Sequence, residues 1–179
     1  MSLDFETERL IFRRFTDEDV DAIHKMRSDA EFMRFIHKTE SRSQAKNWIN
    51  MVSRYWETSG FGFWAVVSKE TNETIGWSGT WNLAETSEPE IGFAIAKTFW
   101  GKGLATEAAN FALEYTFEKR HARKVVAVTM PENVASRRVM EKIGMSFESQ
   151  IYYKSYGLEL ALYAMTRTDF KTKTLSKIV

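Results

Sequence analysis

The sequence predicts one α/β domain, with helices covering both faces of a mixed sheet in three layers. Three observations lead there. Apolar runs of strand length alternate with longer stretches of helical period. Pro89–Ala96 and Lys124–Met130 flank one long helical stretch, and the chain closes on two more strand-like runs. A strand, a crossover helix and a strand predict parallel pairing of those two strands, with a right-handed crossover. The full predicted order is β-α-α-β-β-β-α-β-α-β-β, which fits helices layered on a mixed sheet. With 179 residues the chain suits one substantial core. We assign 1–170 to the domain and 171–179 to a frayed, Lys- and Thr-rich C-terminal tail.

Each element has a local reason. Arg9–Phe15 alternates as a strand, and Thr16 with acids at 17, 18 and 19 opens a helix carrying Val20, Ile23, His24 and Arg27. A short helical segment near Asp29–Phe35 follows. Ser41 with Gln44 spells a capping box for a helix to about Thr58, with Trp48, Val52 and Tyr55 on one face. Gly60 and Gly62 end it. Phe61–Val67 and Thr74–Trp81 are rich in β-branched and aromatic residues and read as a hairpin. Gly101 to about His121 reads as a helix with Leu104, Ala108, Phe111, Ala112, Tyr115 and Phe117 on its apolar face, and His121 as a cation at its end. Lys124–Met130 is an uninterrupted apolar run of the kind buried on both faces. Asn133–Ile143 is a short helix, and Ser146–Lys154 with Glu159–Thr166 forms a closing hairpin turned near Gly157.

Composition removes several function classes. Lys plus Arg (25) nearly balances Asp plus Glu (24), so the net charge of +1 gives no reason to expect nucleic acid or an anionic membrane as partner. The absence of cysteine excludes disulfides, thiolate metal sites and a covalent acyl-Cys intermediate. No window approaches the ~20 apolar residues of a membrane helix, and the acidic N-terminus is unlike a signal peptide; the expected location is cytoplasmic. His24, His37 and His121 stand in no metal or triad spacing, so no metal is expected. The tryptophans sit mostly at core spacing; Trp77 and Trp81 are candidates for lining a groove, with core packing the favoured use.

Two segments carry chemistry. The first is Phe99-Trp100-Gly101-Lys102-Gly103-Leu104-Ala105-Thr106-Glu107. Two glycines allow unusual dihedrals and close approach of a ligand, and the open N–H groups of a helix's first turn suit a diphosphate. Ala105 keeps the turn small. The spelling fits neither the dinucleotide fingerprint, which needs Gly or Ala at 106, nor the NTP loop, which needs Gly-Lys-Ser/Thr. The second segment is Asn133-Val-Ala-Ser136-Arg137-Arg138-Val-Met140-Glu141-Lys142-Ile-Gly144. Asn133 can cap the helix, Ser136 lies in its first turn, and Arg137, Arg138 and Lys142 bring cations.

Together these segments resemble the GNAT superfamily of N-acetyltransferases, with a Gly-x-Gly/Ala diphosphate loop followed by an Asn-x-x-Ser/Ala helix. The spelling Trp100-Gly-Lys-Gly-Leu-Ala-Thr-Glu-Ala, the opening Thr7-Glu-Arg-Leu and the Phe93-Ala-Ile95 strand are similar to the branch of ribosomal-protein N-terminal acetyltransferases. The likeness covers about Thr7 to Phe170. It implies a GNAT-like domain whose sheet splays at its centre, acetyl-CoA as cosubstrate, and a primary amine as acceptor, either a protein N-terminus such as that of a ribosomal protein or a small amine. It implies cofactor contacts from Phe93, Ala94, Ile95, Trp100, Gly101, Lys102, Gly103, Leu104, Ala105, Thr106, Asn133, Ser136 and Arg137. The thioester oxygen would take a backbone N–H of Ala94 or Ile95.

Glu90 is the leading base, with Glu88 and Glu85 as competitors. Trp100 stands where the family has Gln or Arg, which leaves the phosphates to backbone amides. Met140 stands where many relatives have a tyrosine acid, which leaves Ser136, or a tyrosine such as Tyr152, to meet the thiolate. The alternative reading is a non-catalytic acyl-CoA-binding or sensor module. The acceptor would be chosen by loops near 29–40, 82–88 and 152–158, and the chain is expected as a monomer or homodimer.

Overall fold

The computed structural model describes residues 4–83, 86–154 and 157–176. Its strands are β1 (Phe5–Glu6), β2 (Leu10–Arg13), β3 (Phe63–Ser68), β4 (Thr74–Asn82), β5 (Pro89–Ile95), β6 (Lys124–Thr129), β7 (Ser146–Tyr153) and β8 (Leu158–Thr166). Its helices are α1 (Val20–Arg27), α2 (Ala30–Met33), α3 (Arg42–Ser59), α4 (Leu104–Glu118), α5 (Val134–Lys142) and α6 (Arg167–Ser176). The strands hydrogen bond in the order β1-β2-β3-β4-β5-β6-β8-β7. The β5–β6 pair is parallel, as the crossover requires, and is registered at Glu90↔Val126; β6 and β8 pair antiparallel along all of Lys124–Thr129. The mixed α/β architecture matches the expectation.

Contacts divide the chain into two compact units. The first holds the segment up to Gly79 together with Phe93–Ala108. Trp64 is fully buried there, with Phe5, Phe12 and Trp56 edge-on around it. Trp77 packs on Trp48 and Phe32, so core packing is its use. Asp19 is 2% exposed, and its carboxylate takes a two-pronged bond from Arg13 at 2.7 Å plus the Thr74 hydroxyl. Burial alone would raise its pKa, but the Arg13, Thr74 and Thr16 donors outweigh that and hold it below the usual carboxylate range.

The second unit holds Thr80–Gly92 and the chain from Ala109. Leu83, Val126 and Leu162 form one of its buried clusters. Phe117 stacks on Phe170, and Lys173 donates to the Ile143 carbonyl at 2.6 Å.

Helix α4 runs through both units and is fixed to β4 in each. Ser78 donates to the Ala108 carbonyl at 3.0 Å in the first; Thr80 and Thr116 share a 2.6 Å bond in the second. Buried bonds of this kind each contribute about 1 kcal/mol and fix the axial position of the helix.

Several local expectations shift. Helix α3 is capped by the Ser41/Gln44 box, but it buries Ala45, Ile49, Val52 and Trp56 rather than presenting Tyr55. That set keeps the 3.6-residue period over three turns. Helix α4 begins at Leu104, because Gly101 and Gly103 are left-handed, and ends at Glu118. His121, expected as its terminal cation, stands beyond it at φ 53°. Residues 171–176, expected to fray, continue α6, which Phe170 anchors in the core. Residues 177–179 of that tail lie outside the described residues. The strand β1 was not legible in two residues of sequence.

Candidate active site

The approach to α4 is built in unit one. After β5 a turn of 3-10 helix, Lys97–Phe99, leads to Trp100, whose indole N–H donates to the Ile95 carbonyl at 2.6 Å. This ties the glycine turn to the end of β5, although Trp100 remains 49% exposed. Gly101 and Gly103 both have φ +77°. A Cβ built on Gly101 would meet nothing within 4 Å, and one on Gly103 would meet only Arg9 Nη2 at 3.6 Å. The turn is therefore open, and any side chain in it would occupy that opening while straining the backbone. Gly103 also takes the place before α4 where a capping side chain would stand, so the first N–H groups of the helix are left without one. An anion such as a diphosphate fits this arrangement.

Glu107 closes the first turn of α4 and is held from far away in sequence. Its carboxylate accepts from the Thr7 hydroxyl at 2.6 Å, the Arg9 N–H at 2.9 Å and Arg9 Nε at 2.7 Å. Arg9 Nη1 donates onward to the Lys102 carbonyl at 2.8 Å. Burial opposes ionisation of Glu107, yet the Thr7 and Arg9 donors outweigh it and hold the carboxyl below its ordinary range. The Lys102 ammonium lies 5.2 Å from the centroid of the Phe99 ring.

In unit two, Asn133 caps α5 by accepting the Ser136 N–H at 3.1 Å. Ser136 is half-buried one turn in. Arg137 is turned onto its own surroundings: Nε donates to the Tyr163 hydroxyl at 3.0 Å, and Nη1 to the Pro131 carbonyl at 3.2 Å. The Tyr163 hydroxyl, 1% exposed, donates in turn to Glu141 Oε1 at 3.0 Å. Met140 is 2% exposed, so the position at issue for the catalytic acid is part of the core. Glu90 is half-buried on β5 opposite Val126, and Tyr152 is exposed on β7. Glu88 stands half-buried just before β5. Glu85 lies outside the described residues, as do parts of the 82–88 and 152–158 loops.

Comparison with known proteins decides the family. A family model described as an acetyltransferase (GNAT) domain matches residues 9–146. The chain belongs to the GNAT acetyltransferases. The uncharacterized protein YkkB of Bacillus subtilis is 31% identical over 160 residues, which is 88% of this chain and 92% of that one. The [ribosomal protein uS5]-alanine N-acetyltransferase of Escherichia coli is 26% identical over 180 residues, covering 92% and 91%. A crystal structure of a GNAT-family acetyltransferase from Bacillus anthracis superposes with a TM-score of 0.77 at 28% identity, covering 92% of this chain and 98% of that one. The protein is therefore an amine acetyltransferase, and the branch suspected from the sequence is represented among its relatives.

Within this GNAT chain, the glycine turn, Trp100, Lys102, Leu104, Ala105 and Thr106 fall together at the start of α4, with Phe93, Ala94 and Ile95 just upstream on β5. Asn133, Ser136 and Arg137 fall together at the start of α5, with Glu90 on the stretch of β5 that belongs to the same unit. Sequence reasoning missed the work of Thr7, Arg9 and Glu107. Their spelling drew attention as part of a family likeness, but a bond across 98 residues leaves no local signal.

Proposed function

We propose that the protein moves an acetyl group from acetyl-CoA directly to a primary amine, with a protein N-terminal α-amine as the favoured acceptor. The observation that carries this reading is the pair of left-handed glycines opening α4 from a residue without a side chain. The uS5-alanine acetyltransferase among the relatives supports the choice of acceptor.

Acetyl-CoA supplies an activated thioester carbonyl. In this proposal the backbone from Gly101 to Thr106 binds the diphosphate, with Lys102 adding charge and Trp100 and Leu104 shaping the turn. The Phe93–Ile95 backbone lies along the pantetheine as an added strand would, and the N–H of Ala94 or Ile95 donates to the carbonyl oxygen as negative charge develops there. Glu90 accepts the proton of the incoming amine through a water. Such a weak base suffices for an α-amine of pKa ~8, which is partly neutral at pH 7, and would be inadequate for lysine at ~10.4. Asn133 sets the start of α5, from which Ser136 donates to the departing thiolate, and Arg137 holds the turn against Pro131. The burial of Met140 supports giving Ser136 this place.

A panel of peptides and small amines, assayed for CoA release with mass spectrometry locating the acetyl group, tests the proposal. The expected product is an α-N-acetyl peptide, and Glu90→Gln should lower kcat by about 10²-fold or more. CoA binding without turnover on the whole panel would instead favour the sensor reading, and acetylation confined to small amines would remove the protein acceptor.

A further inference from the structure

Resting on the reading of the α4 turn as the diphosphate site, we propose that Arg9 is a positioning residue that turns the Gly103 amide toward the diphosphate and cancels the charge of Glu107 beside it. Two independent features of the geometry point to this.

The first is the peptide between Lys102 and Gly103. A trans peptide holds its C=O and N–H in opposite directions. Arg9 Nη1 holds the Lys102 carbonyl at 2.8 Å, so the Gly103 N–H is directed away from Arg9. Gly103, left-handed and free to rotate in isolation, is thereby fixed with its donor turned away from the Arg9 guanidinium. Without Arg9 that peptide is free to turn over, which would present the Lys102 carbonyl in place of the N–H and repel an anion there.

The second is electrostatic. Glu107 places a carboxylate in the first turn of the helix, which by itself stabilises α4 through the helix dipole. The same charge opposes the approach of a diphosphate to the neighbouring amides. Arg9 Nε lies on that carboxylate at 2.7 Å, and Thr7 and the Arg9 N–H take up the other oxygen. The helix keeps its acidic residue while the turn presents little net negative charge. Arg9 Nη2, 3.6 Å from where a Gly103 Cβ would stand, adds a cation at the turn itself; Trp100 carries none. A salt bridge at a partly exposed position is worth little to folding, so the role assigned to Arg9 is local.

Calorimetric titration of the full chain separates these effects, with coenzyme A as one probe and pantetheine, which lacks the diphosphate, as the other. Arg9→Ala should weaken coenzyme A binding about tenfold or more, the loss expected for a charge-assisted bond, and leave pantetheine within about twofold. Its coenzyme A affinity should also depend less steeply on salt. Arg9→Lys, which keeps charge without the fork, should recover only part of the loss. Glu107→Gln keeps an oxygen for Thr7 and should bind coenzyme A as tightly as the parent or more so. Combining it with Arg9→Ala should restore part of the affinity. If the parent binds no coenzyme A, the diphosphate reading itself fails. If the parent binds and Arg9→Ala binds equally well, or loses both probes equally, the role of Arg9 is overturned. Should Arg9→Ala not fold, a tenfold loss in Glu107→Gln would overturn the charge argument by itself.

Discussion

Two helix starts in this protein solve the same problem in opposite ways. Helix α5 is closed locally: Asn133 caps the Ser136 N–H, and Arg137 folds back on Pro131 three residues before the helix and on Tyr163. Helix α4 has glycine at the capping place and is held from outside, by Thr7 and Arg9 near the N-terminus. A start capped by its own side chain spends donors on itself. A start braced from a distance leaves its donors facing outward, which is what a site for an anion requires.

The sharpest way to break this comparison is Gly103→Val. A β-branched residue at φ +77° carries ~1–3 kcal/mol of strain and would fill the open turn. The KM for acetyl-CoA should rise ten- to a hundredfold in steady-state assays, while the strain lowers Tm by about 2–12 °C. An unchanged KM would mean that the turn does not touch the cosubstrate.

Asn133→Ala should act mainly on stability at the other helix start. Loss of the cap costs ~1 kcal/mol, which in a chain of this size lowers Tm by about 2–4 °C by calorimetry. A rise in KM exceeding that of Gly103→Val would reverse the roles assigned to the two starts.

A smaller effect distinguishes them by pH. Glu107 has its pKa depressed in the folded state, so its contribution is fully present above the unfolded value of ~4.3 and is lost as pH falls through the folded value. The Asn133 cap has no titrating group. Hydrogen exchange followed on acidification should therefore show the first bonded amides of α4, from 107 on, losing protection before those of α5, from 137 on. Simultaneous loss would deny the brace any separate existence.

Much of this fold was legible because its signals are local. The Ser41/Gln44 box, the glycine after α3 and the apolar run of β6 each fix an element within a few residues. The glycines at 101 and 103 were equally visible, although their left-handed turn delays α4 to Leu104. The brace on that turn was not visible, since Arg9 and Glu107 entered only as letters of two motifs 98 residues apart. Asp19, fully paired with Arg13, was likewise read only as one of three acids at a helix start. The two-residue strand β1 has too little pattern to read and exists because Phe5 and Glu6 pair with Phe12 and Ile11. Helix α6 looked like a polar tail because, among its residues whose burial is described, Phe170 alone is buried.

The most direct test of the central claim is an amide-resolved NMR titration of the protein with coenzyme A, repeated with pantetheine. The open start of α4 predicts that coenzyme A moves the amides of 101–107 more than any others, and that pantetheine leaves them in place. Shifts centred on 133–137 with 101–107 unmoved would contradict it.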